Sequence, residues 1–181
     1  MVSMRRVRVV GDSGSGKTTF ARTLASQMGV PHRELDEVFW GPNWQFRDTD
    51  EALADLQAWL DGTGADGWVL DGNWNSRLGT LLDDADTIIW LDYSRIVIMT
   101  RIIRRTLGRV LSRRAYWHGN RERVSNLFSR DPEKNIIVWA WTSYSRYRQQ
   151  YGDLAARDPR VIRLATPRQA RQWLDEVARP S

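Results

Sequence analysis

The stretch GDSGSGKT, residues 11–18, decides the fold, because it satisfies G-x-x-x-x-G-K-[ST] at every fixed position. It lies between a short β-branched run, RRVRVV (5–10), and a helical segment expected from about Gly16 to Met28. A strand, a glycine-rich turn and a helix in that order make a phosphate cradle. Glycines let successive backbone N–H groups converge on an anion, and the helix N-terminus adds unpaired donors and the positive end of its dipole. The spacing therefore predicts that Gly11, Asp12, Ser13, Gly14, Ser15 and Gly16 wrap the phosphates of a nucleotide. In that arrangement Lys17 reaches the β- and γ-phosphates, Thr18 offers its hydroxyl to Mg2+, and Thr19 contacts the α-phosphate from the first helical turn. The pattern calls for ATP or GTP with Mg2+.

Outward from the loop, strands and helices alternate. HREL (32–35) predicts a short strand ending at Asp36, and Asp48 with Glu51 forms a capping pair ahead of a helix over 49–61. WVLD (68–71) and TIIWLD (87–92) are apolar throughout and each ends in aspartate, as buried central strands do. From Ser94 to about Leu111 the periodicity predicts a helix with Ile96, Met99, Ile103 and Val110 on one face and Arg101, Arg104, Arg105 and Arg109 on the opposite arc. Asp131-Pro132 suits the start of a long helix reaching about Tyr151, with Ile136, Ala140, Tyr144, Tyr147 and Tyr151 inward. VIRL (161–164) and a helix capped by Thr166-Pro167 complete the chain. Such alternation argues for a parallel sheet covered on both faces, with ligands at the carboxyl ends of its strands.

Composition narrows the chemistry. The chain has 181 residues, 41% of them hydrophobic and 27% charged, with a mean hydropathy of -0.54. These values exclude collagen-like, disordered and disulfide-stapled classes and suit a single domain over 1–181. Without cysteine there is no disulfide, thiolate zinc site or cysteine nucleophile, and His32 and His118 stand too far apart to suggest a histidine metal site or a Ser-His-Asp triad. A carboxylate-held magnesium stays open. MVSMRRVRVV at the N-terminus lacks the apolar core, about 7–15 residues long, of a secretory signal. No apolar run reaches the roughly 18 residues of a membrane helix, so a cytoplasmic protein without a membrane partner is expected.

Charge is divided along the chain: positions 48–92 carry a net -10, and positions 101–148 a net +9. Of 27 basic residues 25 are arginine, whose planar fork suits phosphate, although solvated helix faces explain any single one equally well.

GWVLDGNWNSR (67–77), TIIWLDYSRIVIMTRIIRRTLGR (87–109) and VIRLATPRQARQWL (161–174) resemble the adenylate kinase and shikimate kinase superfamily, and the likeness spans nearly the whole chain. Adenylate kinases close one strand with a D-G-F-P-R box. Here Asp71-Gly72 matches its first two positions, Asn73, Trp74 and Asn75 depart, and Arg77 follows two residues after the place of the missing box arginine. Arg105-Thr106-Leu107-Gly108-Arg109 resembles the family's Arg-x-x-Gly-Arg at the start of a mobile lid, which implies Arg105 against the adenine ring and Arg109 on the phosphates. The combination of GSGK (14–17), LDEVFWGPNW (35–44), LDGNW (70–74) and IIWLDYSR (88–95) is more closely similar to the group called DNA topology modulation proteins, FlaR-like relatives of adenylate kinase. This likeness implies a three-layer P-loop fold of the nucleoside monophosphate kinase type: a five-stranded parallel sheet of order 2-3-1-4-5, helices on both faces, an acceptor region over 36–62 and an arginine-rich lid over 109–122.

Catalytic candidates are Lys17, Asp36, Asp71 and Arg109, with Thr18 and Asp71 toward Mg2+. Asp36 follows the second strand, where the superfamily places acceptor-binding groups; a turn carboxylate or helix cap is the plainer reading. Asp92 ends the next strand, one step further from the phosphates. Phe39, Trp40, Trp44 and Phe46 crowd the loop after Asp36 as an acceptor pocket or an edge of the core, and Arg146 and Arg148 lie where related kinases hold phosphate. The acceptor is expected between Asp36, Trp40, Trp74 and Arg77, and with the box arginine missing a hydroxyl-bearing small molecule is favoured over a nucleoside monophosphate. The chain thus reads as an ATP-dependent phosphotransferase, monomeric or homodimeric. The alternative is a nucleic-acid-associated P-loop ATPase acting through the basic 101–148 surface.

Overall fold

The computed structural model describes residues 4–112 and 135–179. Five strands form one sheet: β1 (Arg6–Gly11), β2 (His32–Glu34), β3 (Trp68–Asp71), β4 (Thr87–Leu91) and β5 (Val161–Leu164). The order is β2-β3-β1-β4-β5 with every pair parallel, as expected. Register brings Glu34, Asp71 and Val9 level, so the chain leaving β1 at Gly11 turns directly above the ends of β2 and β3.

Alternation along the strands divides the core. Val7, Val9, Val69, Ile89 and Leu91 face Phe20 and Leu24 of α1 (Lys17–Met28), Ile98 and Ile102 of α5 (Arg95–Ser112) and Ala170 of α7 (Pro167–Val177). On the other face, Trp68 and Leu70 pack against α2 (Leu35–Phe39), α3 (Thr49–Asp61) and α4 (Asn75–Leu78), while Val10, Ile88 and Trp90 meet Tyr151 of α6 (Ile136–Arg157). Asp48 caps α3 by accepting from the Asp50 and Glu51 N–H groups, and Thr166 caps α7 by accepting from Gln169, both where the spacing puts them.

Three elements differ from expectation. The strand expected over 32–35 stops at Glu34, and Leu35 opens the short helix α2, which buries Leu35, Val38 and Phe39. On α5 the buried residues are Ile98 and Ile102, at 1% and 0% exposure, whereas Ile96 and Ile103 stand out at 79% and 42%. This helix carries apolar residues on two arcs, and contact with the glycine-rich loop selects between them: Ile102 lies where a side chain at Gly14 would be. Helix α6 begins with Asn135, whose side chain accepts from the Ile137 and Val138 N–H groups, and runs on to Arg157. The expected Asp131-Pro132 cap, His118, and the lid over 109–122 fall outside the described residues, apart from the end of α5. Among the described residues no helix is long and apolar enough to cross a membrane.

Candidate active site

The loop after β1 is shaped by its glycines. Gly14 and Gly16 adopt φ of 83° and 89°, a left-handed region that side chains rarely tolerate. Ser15 N–H donates to the Asp12 carbonyl at 3.1 Å, and Ser13 N–H to Asp12 Oδ1 at 2.7 Å. From the first turn of α1, Lys17 folds back: Nζ donates to the Gly11 carbonyl at 2.9 Å and to the Asp12 carbonyl at 3.0 Å. Burial pushes the Lys17 ammonium below its ordinary value, and the carboxylates of Asp36, Asp71 and Asp12 pull it back up. Arg101 of α5 ties the loop from outside, donating to the Ser15 carbonyl at 2.7 Å and lying over the Tyr93 ring.

Asp71, buried at the end of β3, accepts from Thr18 Oγ1 at 2.8 Å through Oδ2 and meets His32 Nε2 at 2.7 Å through Oδ1. The sequence offered Thr18 and Asp71 but not His32, which reaches Asp71 only because β2 lies beside β3. Glu34, two residues further along β2, pairs with Arg22; burial raises its carboxyl, with the Asp71 charge adding to the effect. Asp12 is also buried, and burial pushes its carboxyl up to about 6 against the pull of the Ser13 N–H, Lys17, Arg95 and Ser143.

The expected acceptor residues come together beside this cluster. Trp74 Nε1 donates to Asp36 Oδ1 at 2.8 Å, and the Trp74 ring stacks on Phe39 at 4.7 Å and meets the edge of Trp40 at 5.8 Å. Phe46 stacks on Trp40 at 4.3 Å; the Arg77 guanidinium lies 4.6 Å from the Phe46 ring centre and donates to Thr49 Oγ1 at 3.1 Å. Burial raises the Asp36 carboxyl, while Lys17, the Trp74 N–H and Arg105 lower it. Arg105 therefore belongs to the same electrostatic cluster as Lys17 and Asp36, and the side chain of Arg109 lies outside the described residues.

Other candidates stand apart. Thr19 is exposed, its carbonyl accepting from Thr23. Asp92 accepts two bonds from Arg163, one of them 2.8 Å, and pairs with Arg148 at 3.3 Å, which makes it an ion-pair anchor of β4 and β5. Arg146 covers the rings of Trp139 and Tyr147.

Among the described residues no group of three or more His, Cys, Asp or Glu side chains is arranged to hold a metal. Magnesium in phosphate sites needs less: one or two carboxylates, with phosphate oxygens and water completing its shell. The all-oxygen pair of Thr18 and Asp71 fits that requirement.

No protein-family profile matches the chain, and no curated protein matches it in sequence. Among solved structures, a sugar kinase from a Janibacter species, determined without ligand, is similar over 97% of this chain and 90% of its own, at 21% identity and a TM-score of 0.50. At that identity the likeness carries the fold alone: an α/β protein built on a five-stranded parallel sheet of order 2-3-1-4-5.

Proposed function

We propose that the chain is an ATP- and Mg2+-dependent phosphotransferase that moves the γ-phosphoryl group to a hydroxyl of a small-molecule acceptor. The observation that carries this reading is the Lys17 ammonium, which is held by the carbonyls of a glycine-rich loop and faced by Asp12, Asp36 and Asp71 at the carboxyl ends of β1 to β3. A cation in such a place suits a bound polyphosphate, whose charge the loop N–H groups and the α1 N-terminus also favour. The fold likeness to a sugar kinase fits the same reading.

Each residue then has a task. Lys17 leaves its carbonyls to carry charge on the β- and γ-phosphates, and Arg109 of α5 adds its charge there; Arg105, whose charge acts on Lys17 and Asp36, is assigned to the phosphates as well rather than to the adenine ring that the family likeness implied. Asp36 orients the acceptor hydroxyl and takes its proton as the new O–P bond forms and the bond from the γ-phosphorus to the departing ADP oxygen breaks. Trp40, Trp74 and Arg77 bound the acceptor space within a region over 36–62, and a lid over 109–122 excludes water. Thr18 and Asp71 would hold Mg2+, which when bound would supply charge neutralisation on the phosphates.

A second reading, a nucleic-acid-associated ATPase, draws on one observation: Arg95 lies over both Trp141 and Tyr144, and Trp141 is exposed, a pairing of arginine and ring that bases can extend.

Calorimetry and turnover of Lys17→Ala test the first reading. Turnover is expected to fall by about 100-fold or more, the usual loss when one preorganised charge-stabilising donor is removed. Undiminished turnover in the variant would remove Lys17 from the reaction and the reading with it.

A further inference from the structure

The departure of residues 73–75 from the kinase box has a structural counterpart at the loop. Asn73 Nδ2 donates to the Gly11 carbonyl at 2.7 Å, and Asn73 Oδ1 accepts from the Gly11 N–H at 3.3 Å and from the Tyr151 hydroxyl at 2.9 Å. One side-chain amide therefore grips both backbone groups of the first loop glycine, which demands a donor and an acceptor on the same short side chain. The Gly11 carbonyl is one of the two that hold Lys17, and Gly11 is buried. The other carbonyl, that of Asp12, has a second donor in the Ser15 N–H. Each carbonyl that Lys17 occupies thus keeps another partner when the lysine departs.

We infer that Asn73 is a positioning residue for nucleotide binding: it keeps the buried Gly11 carbonyl hydrogen-bonded, and Gly11 in place, when Lys17 turns from the loop to a phosphate. The inference rests on the proposed function, since it requires Lys17 to move toward an anion. Without Asn73, the ammonium could leave only by stripping a buried carbonyl of this donor, and the cost would appear in the bound state. In the unliganded protein Lys17 still covers that carbonyl.

The test compares Asn73→Ala with Asn75→Ala by calorimetric titration with ATP and Mg2+, alongside melting temperatures without ligand. Asn75 donates to the Tyr151 hydroxyl at 3.2 Å and accepts from Arg8, so its removal disturbs the same network without touching Gly11. Asn73→Ala is expected to bind ATP roughly 5- to 100-fold more weakly, the range for a buried carbonyl left without a donor. Asn75→Ala is expected to keep wild-type affinity while losing at least as much thermal stability. If Asn73→Ala does not fold, Asn73→Ser, which retains a hydroxyl for Tyr151, is expected to show the same loss of affinity. Wild-type affinity in the Asn73 variant, or an equal loss in Asn75→Ala, would overturn the inference and leave the proposed function standing. A wild-type chain with no affinity for ATP would remove both.

Discussion

At the scale of single residues, the carboxylates around Lys17 are held against their preference for water. For Asp12 the cost falls on stability. An acid whose carboxyl rises from 3.8 to about 6 binds its proton more tightly in the folded chain, so its contribution to stability declines as pH rises through that window, and the full penalty is present above about 6. Asp12→Asn is therefore expected to be more stable than the wild type at pH ~8, by up to about 3 kcal/mol, since each tenfold tightening of proton binding is worth ~1.4 kcal/mol, and to lose that advantage below pH ~4. Thermal denaturation across this range checks it, and a variant no more stable at the alkaline end would contradict it. His32 makes a complementary case. His32→Leu leaves Asp71 Oδ1 without its partner and should destabilise by about 1–3 kcal/mol, while His32→Gln, which keeps a donor, should lose less. Denaturant unfolding of the two variants separates them, and equal losses would count against the hydrogen bond. As candidates, Lys17, Thr18 and Asp71 were legible in the sequence because each sits in a motif or at a strand end, and Asp36 because it follows the second strand. His32 and Asn73 were not, since their partners lie 39 and 62 positions away in the chain and meet them only across the sheet.

At the scale of elements, α5 couples the loop to the core. Its apolar residues allow two buried arcs; of the expected face Met99 packs against the core while Ile96 and Ile103 are exposed, and the deciding contact is the space left by Gly14, which Ile102 fills. Ile102→Ala is accordingly expected to cost about 2–5 kcal/mol, as buried aliphatic truncations do, whereas Ile96→Ala on the exposed arc should fall within about 0.5 kcal/mol of wild type. Comparable losses at the two positions in denaturant unfolding would contradict this packing. The strands β3 and β4 and the helices α1, α3 and α7 were legible because apolar runs and capping residues are local signals. Helix α2 was not: its five residues are too few to show a period, and it forms because Leu35, Val38 and Phe39 find a core to enter.

At the scale of the whole molecule, the sheet order brings four distant segments to one edge: the loop after β1, Asp36 after β2, Asp71 and Trp74 after β3, and Arg101 and Arg105 of α5. The alternation of strands and helices foretold a parallel sheet, and family likeness foretold its order. The aromatic packing of Trp40, Phe46 and Trp74 beside Asp36 depends on tertiary contacts that neither could specify. If the arginine-rich stretch serves phosphotransfer, its counterpart is a nucleotide; if it serves as a docking surface, its counterpart is nucleic acid, and product chemistry separates the two. Phosphorus NMR of the wild-type chain with ATP, Mg2+ and a panel of hydroxyl-bearing small molecules alongside AMP is the most direct measurement. The expected result is ADP together with a new phosphate ester on a hydroxyl acceptor, both lost in Lys17→Ala. Orthophosphate as the sole product, released faster when duplex DNA is added, would contradict phosphotransfer.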